Sequence, residues 1–70
     1  MATYREHQAQ GRRFRVRISA TVGGSATGGF EAQPFEILKD TEVEFGQPLA
    51  AGTVEEAFER AKQAIERAAQ

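Results

Sequence analysis

A chain of 70 residues with a net charge of −1, one histidine and no cysteine holds a single domain and excludes disulfide staples and thiolate or multi-imidazole metal centres. Near-neutrality likewise excludes the broad positive field of a general nucleic-acid binder and the self-repulsion of an acidic tail. Stability must come from packing, and a core this thin gains from burial against a partner.

The opening MATYREHQAQGRR has no apolar stretch fit to be a signal-peptide core, and no later segment approaches the roughly 20 apolar residues of a membrane span, so a cytoplasmic location is expected. Residues 1–11 are polar and lack apolar periodicity. They are expected to form a mobile arm, or a short extension that orders only against something else, that carries Tyr4 and His7 and ends at Gly11.

From residue 12 a period of two sets in. Phe14, Val16, Ile18, Ala20 and Val22 fall on one face, and Arg13, Arg15, Arg17, Ser19 and Thr21 on the other, which predicts a strand. GGSATGG, residues 23–29, predicts a hairpin tip. It is not a phosphate-binding loop, because no Lys-Ser/Thr follows and Phe30 opens a strand. In that returning strand Phe30 and Ala32 are even and Phe35 and Ile37 odd, so a bulge is expected at Gln33-Pro34. After the tight KDT connection, Val43 and Phe45 are expected to point inward and Glu42 and Glu44 outward, pairing Phe35 with Phe45 and Ile37 with Val43. Gly46, Gln47 and Pro48 end this third strand.

The C-terminal helix carries the clearest signature. Thr53 and Glu56 have the spacing of a capping box. Val54, Ala57, Phe58, Ala61, Ile65 and Ala68 follow at three- and four-residue steps and form one apolar stripe. The expected fold is α+β, ββ(β)α over residues 12–70. It is a three-stranded antiparallel meander, or a long hairpin with a short third strand, followed by one amphipathic helix packed on one sheet face.

Arg12, Arg13, Arg15 and Arg17 are the candidate functional residues. For nucleic acid they would contact successive phosphates, but Phe14 is predicted on the face opposite Arg13, Arg15 and Arg17, where it cannot stack a base beside them. A bulge at Pro34 would instead set Arg17 opposite Glu36, with Glu44 one strand further on, giving cross-strand charge pairs. His7 has no orienting carboxylate in a mobile arm, so no catalytic residue, metal site or cofactor is expected.

The stretch GTVEEAFERAKQAIE resembles the start of the main helix in HicB-like antitoxin domains, which likewise follows a strand meander; that likeness implies toxin binding. It covers about fifteen residues, and the Pro-Gly-Cys segment those domains carry before the helix is absent. The same helix is similar to the second helix of double-stranded-RNA-binding domains, which hold phosphates with lysines where this chain has Glu55 and Glu56. The functional expectation is a small non-catalytic interaction or regulatory domain, self-associating as a homodimer and antitoxin-like or accessory to another protein. The alternative is a nucleic-acid-binding module that uses Arg12, Arg13, Arg15 and Arg17.

Overall fold

The computed structural model describes residues 2–21 and 29–69; most of the expected GGSATGG tip lies outside them. The strands are β1 (Ala2–Ala9), β2 (Arg12–Ala20), β3 (Phe30–Ile37), β4 (Glu42–Glu44) and β5 (Leu49–Ala51), followed by helix α1 (Val54–Ala69). All strand pairings are antiparallel. The order is β1-β2-β3-β4, and β5 joins the same edge of β3 as β4. The fold is α+β, with α1 packed on β1, β2, β3 and β5.

The first eleven residues are no arm. Ala2–Ala9 pairs with β2 along its whole length, from Ala2 opposite Ser19 to Ala9 opposite Arg12. Gln10 and Gly11 make the two-residue turn, with φ of 54° and 73°. Positive φ at both central positions matches the twist of a tight hairpin, and glycine adopts it without strain. The strand is hard to see because, of its helix-side residues Thr3, Arg5, His7 and Ala9, only Ala9 is apolar and no apolar alternation results.

The expected bulge is absent. Residues of β2 and β3 stay in one register from Arg13 opposite Ile37 to Ala20 opposite Phe30, with Val16 opposite Pro34. Pro34 is itself an apolar core residue, almost fully buried. Phe30, Ala32 and Pro34 therefore form an unbroken inward set, while Phe35 and Ile37 fall on the outer face. Without the bulge the third pairing shifts by one: Phe35 lies opposite Glu44 and Ile37 opposite Glu42, not Phe45 and Val43. Leu49–Ala51, within the expected loop after Pro48, forms β5 against Phe30–Ala32. Gly29, with φ of 105°, lets the chain pass beside it, since any Cβ there would collide with the carbonyl oxygen of Ala51.

The core comprises Phe14, Val16 and Ile18 from β2, Ala32 from β3, Ala51 from β5, and Ala57, Ala61 and Ile65 from α1. Phe58, expected among them, is only half-buried, and Ala68 is exposed. Ile65 is thus the largest helix side chain in the core. Ile65→Ala should destabilise by about 2–5 kcal/mol, whereas Leu38→Ala, at a position 44% exposed, should change stability by less than about 0.5 kcal/mol. Urea unfolding of the two variants measures the difference.

Candidate functional site

Strand β2 divides its arginines by parity. Arg13, Arg15 and Arg17 project from the outer face, while Arg12 shares the helix side with Phe14. On the outer face Tyr4 lies directly opposite Arg17, and Phe35 directly opposite Arg15. The guanidinium of Arg15 sits 5.8 Å from the Tyr4 ring centre, and that of Arg17 5.5 Å from Phe35. Aromatic rings and arginines therefore do share a face, contrary to expectation. The rings come from Tyr4, in the segment expected to be an arm, and from Phe35, whose parity was inverted by the assumed bulge.

Acidic groups surround these arginines. Arg13 Nη2 is 3.3 Å from Glu6 Oε1, and Arg15 Nη1 reaches across β3 to Glu42 Oε2 at 3.1 Å. Arg17 does not meet Glu36. It lies opposite Gln33, and among the described residues it has no carboxylate partner. Glu44 lies opposite Phe35, one strand away from Arg15. The outer face carries Glu6, Glu31, Glu42 and Glu44 against three arginines and has no net positive charge.

On the helix side Glu36 belongs to Arg12. The arginine donates twice, from Nε to Oε2 at 2.8 Å and from Nη2 to Oε1 at 2.7 Å. Its guanidinium also lies 5.5 Å from the ring centre of Phe14 and 5.4 Å from that of Phe45. The two rings meet edge-on at 4.8 Å. Such a fork and two rings hold the guanidinium in one orientation. Arg12's hydrogen bonds keep the Glu36 carboxyl below its ordinary range, against the opposing effect of desolvation, and Glu36 raises the Arg12 pKa in turn.

At the helix start the Glu56 N–H donates to Thr53 Oγ1 at 3.0 Å, while Glu56 Oε1 accepts from the Gly52 N–H at 2.8 Å. The reciprocal bond thus goes one residue earlier than in a standard capping box. His7 faces α1, with Nε2 2.9 Å from Glu66 Oε2. A carboxylate orients this imidazole after all, but among the described residues no hydroxyl hydrogen-bonds to it, so the pair lacks a nucleophile to activate. No cluster of three His, Asp or Glu suited to a metal occurs among the described residues, and no helix is long and apolar enough to cross a membrane.

Comparison of the chain with protein-family models, curated proteins and solved structures finds no match.

The Arg12–Glu36 pair sets an expected pH response. Because Glu36 has a lower pKa folded than unfolded, its stabilisation is complete above the ordinary glutamate value of about 4.3 and is lost as pH falls through the depressed folded value. Glu36→Gln should therefore be less stable than the parent at neutral pH, and the gap should narrow through the acid range below that ordinary value. Urea midpoints across an acid titration check this; a gap that stays constant contradicts it.

Proposed function

We propose that this chain is a small non-catalytic interaction domain that self-associates through the free edge of β1. The observation that carries the proposal is the edge itself: an eight-residue strand, free of proline and, among the described residues, paired on one side only. Long unprotected edges are templates for another strand, and a closed symmetric dimer is the simplest way to use one. A two-fold axis normal to the sheet through Tyr4 would set that ring against its copy and Arg5 opposite Thr3. Axes through Arg5 or Glu6 would instead put like charges opposite each other. Tyr4 is 57% exposed, as a residue awaiting such contact would be. Antitoxin-like binding of another protein would then fall to the remaining surfaces.

Nucleic acid is the second reading, favoured by the shared face of Tyr4, Phe35, Arg15 and Arg17. The glutamates around that face weigh against it. Titration of single-stranded DNA and RNA at two salt concentrations separates the readings, since phosphate contacts make affinity fall steeply with salt.

Two measurements test the dimer. Light scattering from micromolar to millimolar concentration should show a mass approaching twice that of the chain, and Tyr4→Lys should return it to a monomer. Hydrogen exchange should protect successive β1 amides in the dimer, whereas in a monomer every second one, pointing away from β2, exchanges fast. A monomer throughout, with alternating protection, sinks the proposal.

A further inference from the structure

A cavity of about 400 Å³ opens between the C-terminal half of α1 and the segment joining β4 to β5, walled by Pro34, Phe45, Leu49, Ala64 and Ala68, with Arg12 in its lining. Its volume falls within the range of small-ligand sites, and its walls have their usual chemistry, apolar with few polar groups. The space follows from the sequence: Ala64 and Ala68 offer only a methyl group each where a larger side chain would meet Phe45 and Leu49.

Arg12 supplies a preorganised donor. Nε and Nη2 are committed to Glu36, and the rings of Phe14 and Phe45 hold the guanidinium in place. Among the described residues the Nη1 group has no protein acceptor. Its charge, however, is already matched. An anionic ligand reaching Nη1 would face the carboxylate of Glu36, whereas a neutral carbonyl oxygen accepts the same hydrogen bond without that repulsion.

We propose that this cavity binds an uncharged small molecule with an apolar body and one carbonyl acceptor, the acceptor bound by Arg12 Nη1. The apolar body fills the space left by Ala64 and Ala68, against Phe45, Leu49 and Pro34. This site is independent of the β1 edge, so a monomeric chain would bind equally well.

Amide NMR titrations with 2-octanone and with octanoate at neutral pH test the assignment. The ketone should give saturable shifts concentrated at Gly46, Gln47, Ala64 and Ala68, and octanoate should bind at least about ten-fold more weakly, because it adds the like-charge contact. Ala64→Leu should fill the cavity and weaken ketone binding at least about ten-fold, with an unfolding midpoint equal to or above the parent's; Gln63→Leu, on the exposed face, should bind as the parent does. If Ala64→Leu fails to fold, Ala68→Leu, at an exposed position, provides the same block. The proposal is overturned by an absence of saturable shifts, by octanoate binding as tightly as the ketone, or by a folded cavity-filled variant that binds like the parent.

Discussion

A proline inside an interior strand is the constraint from which much of this structure follows. In an antiparallel strand the N–H and C=O of one residue point to the same side. The Pro34 carbonyl accepts from the Phe45 N–H at 3.0 Å, so the donor that proline lacks also faces the outer edge of β3 rather than β2. The β2–β3 ladder therefore runs without a bulge, and the defect falls on the neighbour. That neighbour is two three-residue strands instead of one long one, with Phe45–Pro48 crossing between them. Gln33 Nε2 closes the gap, donating to the carbonyls of Pro34 at 2.8 Å and Gly46 at 3.4 Å. A buried amide side chain thus takes partners at the place where the regular ladder stops.

The same break decides what the helix covers. Ala57 and Ala61 let α1 approach closely over Phe14, Val16 and Ile18, and Ile65 fills the remaining depth. Toward β4 the helix offers no cover, and Val43 stays 43% exposed although its parity points it to the helix side. Phe45 closes part of that opening by packing edge-on against Phe14, and Arg12 lies over both rings. At the opposite end of the sheet amphipathic side chains do what apolar ones do in the centre. Arg5 covers Phe58 and reaches Glu55, and His7 reaches Glu66, so a polar strand is held under a helix with little apolar surface of its own.

These features divide what the residues reveal from what they conceal. Apolar alternation through Phe14, Val16 and Ile18, and the helical stripe through Ala57, Ala61 and Ile65, made β2 and α1 legible, because both elements bury one face on the core. Strand β1 is concealed because three of its four inward residues, Thr3, Arg5 and His7, are polar; Gly11 is the available signal, as a turn residue between two stretches rather than the end of one. The register of β3 is hidden because Pro34 reads as an interruption. Counted as an apolar side chain it completes Phe30 and Ala32, and the parity slip disappears. β5 was too short to have a period. The Arg12–Glu36 pair was unreadable until that register was known, since its two residues face the side on which apolar partners were expected.

The opposing roles of neighbouring arginines follow from the pleat alone. Successive residues of β2 point to opposite faces, so Arg12 and Arg13 are adjacent in the chain and meet different surroundings. Arg12 meets a bidentate carboxylate and two aromatic faces, which make its half-exposed planar guanidinium a structural part that lysine could not replace. Arg13 and Arg15 instead each make one partly exposed contact with a glutamate of β1 or β4, and each such pair adds little stability. Those pairs matter more for what they prevent. A row of unmatched arginines on an open sheet face would draw any polyanion, and the flanking glutamates cancel that field, leaving Arg17 over Phe35 as the one outer arginine without a carboxylate partner among the described residues. With its charges matched in this way, the face offers a neighbouring molecule shape and edge pairing rather than long-range attraction.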